Sequence, residues 1–596
     1  MRLIILFLVL FLTPLLTVAQ TGTPYHLTIM AVQETPEGYI GSPADLFLEL
    51  KEGSGRVFLE TYPSTKTDTQ ISTRFAKEIA CDYFDLDCDR YDYIYTIKAQ
   101  SDIIGGPSAS AAIAALTAIV VMDISYDPKV AITGTINSGG IIGPVGGVKE
   151  KIDAAAKAGV KTVLISKGSS LQKEGSPENE TNTTQLFNLS TYALQNLSIT
   201  VQEVIDLGEI VSILTGKNYS HPTVVLEKDQ EYEKIMEKLQ TQLCDRTEKM
   251  EQEMNEQGIT LNQTIQEEIN NKKENARNAS QLGNHYAAAS YCFTANIQLR
   301  TYFYTQPQIH ARFLENQQSL LLKKMSVLQQ KMAKQEIKTI SDLQASLVVR
   351  ERLHDVQQQI EKANETESHD ERAAIIAYAE ERYSSAASWM EFFSMNGRNF
   401  ILDEQTLRQS CDLKLAEAEE RYNYVALYVG SRLIENLRNH IDDAHASLER
   451  NESQLCLIEA SQAKAEANAI LSSFGVVNEA LDEYIAAKSN AVERMIAENS
   501  AEGIFPILGY SYYQYARSLQ DDDKFTALLY LEYALEMSNL EMYFPEEVTT
   551  IDVIRNQLEN IFSKRWVLIT SGFVGGLIIG VGTVYLGRRI FHRKKK

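Results

Sequence analysis

The sequence of 596 residues predicts an α+β domain over residues 24–215, a large all-α helical-hairpin domain over residues 226–560, and one C-terminal transmembrane helix. Three observations carry that expectation. Short β-rich runs separated by glycine turns crowd the first third of the chain. Beyond about residue 226 proline becomes rare, and Glu, Gln, Lys, Ala and Leu fill long amphipathic runs. Residues 566–587 are strongly apolar, enough for one helical span of about 30 Å of hydrocarbon.

In the first domain, residues 25–32, 44–50 and 56–61 read as strands, with the turn Gly53-Ser54-Gly55 before the third. A helix is expected at 71–81 and a tyrosine- and isoleucine-rich strand at 91–97. Residues 108–123 are small and apolar on every face, so that helix must be buried nearly all round. Strands at 130–136 and 160–166 bracket a helix at 148–158, and a polar connector from about 170 to 225 holds one helix at 194–214. Residues 227–281 and 308–364 each read as one long amphipathic helix. Further helical stretches lie at 370–393, 404–447 and 479–498, the last with Asn478 as N-cap. Residues 510–519 and 524–537 form a helix pair, with no clean repeat period.

Residues 1–19 read as a signal peptide: Arg2, an apolar run, then Thr17-Val18-Ala19 before a cut. An uncleaved anchor is the alternative, and either would carry the chain from residue 20 onward across the membrane. Basic residues gather in the tail, residues 588–596, which should stay cytoplasmic. Gly572, Gly576 and Gly580 permit close pairing of spans. The bulk of the chain is therefore expected outside the cell membrane. Nine glycosylation sequons agree with that location: Asn179, Asn182, Asn188, Asn196 and Asn218 cluster, and Asn262, Asn278, Asn364 and Asn451 are scattered. Six cysteines, Cys81, Cys88, Cys244, Cys292, Cys411 and Cys456, suit disulfides, by sequence proximity in consecutive pairs. A net charge of -22 argues against nucleic acid as a partner. No CxxC pair and no helical His/His spacing offers a metal site; His440 and His445 read as a solvated face.

The chemistry-bearing stretch is Gly105-Gly106-Pro107-Ser108-Ala109-Ser110 and, further on, Gly146-Gly147-Val148-Lys149-Glu150-Lys151. Proline after glycines suits the first turn of a helix. Ser108 then sits where backbone N–H groups lack helical acceptors, so the N–H groups of Gly106 and Ser108 are oxyanion-hole candidates. A plain helix cap is the alternative. On a helix from Val148, one face holds Val148, Lys151, Ile152 and Ala155. Lys149 and Asp153 lie off it and can pair in solvent. A lysine aimed at the core loses hydration, its pKa falls, and its neutral amine can take a proton from a serine. The alternative is a stem packed on apolar surface with the charge reaching water. His26 is the only histidine between residues 24 and 215, thin material for a histidine triad.

GGPSAS, then VAITGTINSGGIIGPVGGVKEKIDAAAKAGVKTVLIS, resembles the proteolytic domain of the Lon protease family, especially archaeal, membrane-anchored forms. The likeness is close from Gly105 to about Ser166 and looser before it. It implies a serine protease with Ser108 as nucleophile and Lys151 as base, and Thr133 as a supporting residue whose hydroxyl holds the amine. The acid often found two positions after that threonine is Thr135 here, which leaves a third carboxylate member unassigned; Asp102 is not placed by the motif. Lon-type domains tend to form rings of six, so a homo-oligomer is implied. No G-x-x-x-x-G-K-[ST] phosphate loop occurs, so neither a nucleotide nor any other cofactor is expected. The expectation is an ATP-independent, membrane-anchored, extracytoplasmic serine endopeptidase acting on polypeptide substrates. The alternative is a protein-binding scaffold with an inactive or self-cleaving Lon-like domain.

Overall fold

The computed structural model describes residues 25–35, 38–99, 105–173, 186–221, 225–429 and 434–547. The signal-like residues 1–19, Asp102, Asn179, Asn182, the apolar stretch 566–587 and the basic tail lie outside them. Among the described residues no helix is long and apolar enough to cross a membrane.

The N-terminal part is α+β. Strands β1 (Tyr25–Thr35), β2 (Gly38–Glu52), β3 (Val57–Tyr62) and β4 (Tyr91–Ala99) form one sheet in the order β1-β2-β4-β3. β1 and β4 run antiparallel to β2, whereas β3 is parallel to β4. The return from β3 to β4 passes through helix α1 (Thr67–Tyr83), as a parallel pair requires. Helix α2 (Ser110–Val121) packs against α1 with every residue from Ser110 to Val120 buried, as its all-round small and apolar composition demands. A second, parallel sheet has the order Thr200–Val204, Thr162–Ser166, Val130–Ile132. Helix α3 (Val148–Lys157) leans on β2 and β1.

Two sequence expectations fail here. The single helix at 194–214 is instead a helical turn ending at Leu197, the strand Thr200–Val204 and a helix Leu207–Thr215. Ser198 leaves the helix at φ 55°, the β-branched alternation of Thr200-Val201 favours a strand, and Asp206 caps the new helix by accepting from Glu209 N–H. The strand at 130–136 also breaks, into Val130–Ile132 and Thr135–Ile136, at Thr133-Gly134. That break belongs to the candidate active site.

The second part is helical throughout: α5 (Gln230–Glu256), α6 (Gln263–Gln281), α7 (His285–Tyr304), α8 (Ala311–Met332), α9 (Ile340–Glu365), α10 (His369–Trp389), α11 (Glu404–Ala426), α12 (Glu435–Glu449), α13 (Ser453–Gly475), α14 (Asn478–Ala501), α15 (Ile507–Leu519) and α16 (Lys524–Ser538), after α4 (Leu207–Thr215). The long runs of the sequence are therefore hairpins. The 227–281 run turns at Gly258, φ 73°, before Asn262 caps α6. The 308–364 run is cut ahead of Thr339, whose capping box with Asp342 opens α9. The 404–447 run ends at Ala426 and restarts at Glu435. Asn478 is the first helical residue, and Val477 stands at the cap.

The disulfides join Cys81 to Cys88, Cys244 to Cys292 and Cys411 to Cys456. The described sequon asparagines, Asn188, Asn196, Asn218, Asn262, Asn278, Asn364 and Asn451, are all exposed. Residues 399–401 and 545–547 pair in a small unit of their own. The α+β part and the helices up to Phe544 belong to one compact unit. A buried ionic cluster joins them: Lys414 Nζ lies 2.9 Å from Glu536 Oε2, Lys464 Nζ 2.8 Å from Glu417, and Ser138 Oγ donates to Glu536 at 2.9 Å. The two lysines hold the Glu536 carboxylate charged against its burial, down to about 2.

Candidate active site

Ser108 is half-buried in the turn Pro107–Ala109 that leads into α2. Gly106 enters that turn at φ 89°, which a side chain would strain, and Pro107 stands at the first helical position. The turn is stitched to the break in the second sheet. Ser108 C=O accepts from Gly134 N–H at 3.1 Å, and Gly134 C=O accepts from Ala111 N–H at 3.2 Å. Ser110 Oγ donates to Pro107 C=O at 2.7 Å and accepts from Ile136 N–H at 2.9 Å. The strand interruption thus frees backbone groups that anchor the serine turn, with the N–H groups of Gly106 and Ser108 at its open start.

Lys151 lies in the first turn of α3, behind Gly147 at φ 65°. Val148, Lys151, Ile152 and Ala155 are all buried, and Lys149 pairs outside with Asp153 at 3.0 Å, as the helical spacing predicts. Lys151 is only 2% exposed, and among the described residues no carboxylate forms an ion pair with it. Burial pulls its amine from the ordinary 10.5 down to about 7, opposed weakly by Glu150. Thr133 is buried as well, but its Oγ1 has no hydrogen-bond partner. The expected threonine–lysine hydrogen bond is not formed in this state, which leaves a buried acceptor unfilled beside the serine turn.

The serine and lysine segments converge on one side chain from the helical part. Tyr424, near the end of α11, accepts the Gly146 N–H at 3.2 Å through its Oη. Its ring lies 3.6 Å from where a Cβ on Gly106 would stand. One phenol ring therefore bridges the glycine pairs that precede Ser108 and Lys151. Tyr428 crosses Tyr424 edge-on, centroids 5.3 Å apart, and a Cβ on Gly146 would collide with the Tyr428 ring at Cε1. Similar close approaches put Met495 on Gly139 and Tyr83 on Gly140. The glycine pairs let the side chains of the helical part sit directly on the loops of the candidate site. Arg421, one turn earlier on α11, donates from Nη2 to Ile136 C=O at 3.3 Å. Sequence reasoning missed Tyr424, Tyr428 and Arg421; an aromatic pair four apart in a helix-like run is an ordinary packing signal.

His26 lies at the edge of the first sheet, Nε2 2.8 Å from Asp45, and offers no triad. His445 pairs with Glu419 at 2.9 Å, and no cluster among the described residues suits a metal ion.

Residues 102–197 match the family model of the Lon protease (S16) C-terminal proteolytic domain. This segment is similar to the Lon-type proteolytic domain. The chain is 36% identical over 86 residues to the Lon protease of Methanosarcina barkeri, covering 14% of this chain and 11% of that protein. It is 39% identical over 83 residues to the archaeal Lon protease of Methanothermobacter thermautotrophicus, 14% of this chain and 13% of the relative. The Lon protease of Helicobacter pylori strain 26695 is 47% identical over 103 residues, 17% of this chain and 12% of its own length. The chain thus spans well under a fifth of the relatives it matches, and the Lon likeness stops at the proteolytic segment. Helix α11 and the turn after it, which supply Tyr424 and Tyr428, fall outside it.

Proposed function

We propose that the chain is a serine endopeptidase in which Ser108 attacks the scissile carbonyl and Lys151 is the base. The observation that carries this reading is the buried, unpaired amine of Lys151, tuned to about 7, at the start of a helix whose preceding loop shares Tyr424 with the serine turn. A neutral amine takes the hydroxyl proton as the Oγ–C bond forms. The oxyanion is met by N–H groups at the start of the turn, those of Gly106 and Ser108. The ammonium then returns its proton to the leaving nitrogen as the C–N bond breaks. Water, deprotonated by the same amine, hydrolyses the ester and frees Ser108. The unpartnered Thr133 Oγ1 would accept from the ammonium once it forms.

Tyr424 and Tyr428 form a roof over the glycine pairs that precede Ser108 and Lys151, and this crowding supports an extended polypeptide as substrate. Action without ATP, expected from the sequence, belongs to the same proposal. The apolar stretch 566–587, the leader at 1–19 and the exposed sequons support a glycosylated ectodomain tethered to the cell membrane, its tail inside. The ring assembly implied by the Lon likeness is likewise part of it. The alternative, a protein-binding scaffold with an inactive or self-cleaving Lon-like domain, draws on the same roof. Hydrolysis of an internally quenched, unstructured peptide separates them. The wild type should cleave and Ser108→Ala should not; equal rates would refute the assignment.

A further inference from the structure

A cleft of 230 Å³ lies wholly among the helices, between α5, α7, α9, α10 and the α15–α16 hairpin. Its walls are aromatic. Tyr286 meets Trp389 and Tyr515 edge-on at 6.3 and 6.0 Å, and Tyr515 meets Tyr530 at 4.6 Å. Set into them is a guanidinium that makes no ion pair among the described residues. Arg352 is 8% exposed, its Cζ 4.9 Å from the Trp389 ring centre. Nη1 donates to Ser385 Oγ at 2.5 Å, while Nε has no partner. Among the described residues no carboxylate forms an ion pair with it, and burial lowers its pKa.

The neighbouring arginines show what is missing. Arg382, also on the wall, holds Glu351 at 2.5 Å and Asp355 at 2.8 Å. Arg300 holds Glu380 and Glu381, each at 2.7 Å. A buried cation with an open donor is costly unless an anion arrives from outside. A single guanidinium with an unpartnered donor suits a small anion, and its planar fork matches a carboxylate. The aromatic walls call for an apolar body. An apolar cavity of about 150 Å³ holds a benzene ring, so this cleft has room for such a ring and a carboxylate.

We propose that this cleft binds a carboxylate carried on an aromatic or large aliphatic group, with Arg352 as its anion partner. A polypeptide ending in such a residue and a free apolar carboxylic acid share that chemistry. In the first case the cleft docks substrate chain ends away from Ser108, a role that rests on the peptidase reading; the binding itself does not.

The test is calorimetric titration of the full chain carrying Ser108→Ala, which keeps peptides intact. The probes are N-acetyl-phenylalanine, its amide, and a ten-residue peptide ending in phenylalanine with a free or amidated C-terminus. A charge-assisted bond to the guanidinium predicts a preference of about tenfold or more for the free acid. Arg352→Met should abolish that preference. Ser290→Phe, which fills the cleft and leaves the arginine, should abolish binding, and it serves if the first variant fails to fold. Peptide and small acid binding alike identifies a chain end; the small acid alone identifies a free acid; both support the site. Equal binding of acid and amide, or binding that survives Ser290→Phe, overturns it. Because these readouts need no catalysis, they stand or fall apart from the Ser108 assignment.

Discussion

Replacing Lys151 with methionine keeps most of the stem's volume and removes the amine. A buried lysine with a lowered pKa costs the native state stability, because the unfolded chain holds its proton more readily. The cost is fully present below about pH 7, shrinks as pH rises, and vanishes above the ordinary 10.5. At about 1.4 kcal/mol per pH unit, that window corresponds to about 5 kcal/mol as an upper value. The unfilled Thr133 hydroxyl is present in both proteins and cancels from the comparison. Lys151→Met should therefore unfold later than the wild type at pH 6, and the gap should close steadily toward pH 10. Thermal unfolding followed by circular dichroism across that range reads it. A gap that does not change with pH would mean a solvated, ordinary lysine, and would remove the physical basis for its role as base.

Peptidase activity should rise with pH through a midpoint near 7, where Lys151 becomes neutral, as read by initial rates in buffers of constant ionic strength. Gly146→Ala pushes a methyl group into the Tyr428 ring; it should lower the rate, and Tyr428→Ala in the same chain should restore much of it. Tyr424→Phe removes the acceptor for Gly146 N–H, and should cost about 1 kcal/mol of stability by thermal melting. Cys244→Ser with Cys292→Ser opens a loop of 48 residues, and loop entropy alone predicts a loss of about 4 kcal/mol, read as a lower melting point.

The proteolytic segment was legible because its signals are local. The glycine-proline-serine turn, the all-round apolar α2 and the lysine on the apolar face of α3 each depend on residues within two helical turns. Helix limits were less legible, since amphipathic periodicity continues through hairpin partners and only Gly258 or the Thr339 capping box marks the reversal. The strand Thr200–Val204 hid behind the helix-like run around it, and the parallel pairing with Thr162–Ser166 settles it. The alanine-rich α13 has no polar face to give it a period, being buried on nearly every side. The roof was not legible at all. Tyr424 meets Gly146 across 278 residues, and nothing in either local pattern announces the other.

Activation of Ser108 by Lys151 can be read without any peptide substrate. An organophosphonate that reacts with activated serines, used with peptide mapping of the labelled chain, reports on it. A working dyad gives a single adduct on Ser108, formed faster as pH passes 7 and lost in Lys151→Met. An adduct elsewhere, or one formed as fast without the amine, would contradict it.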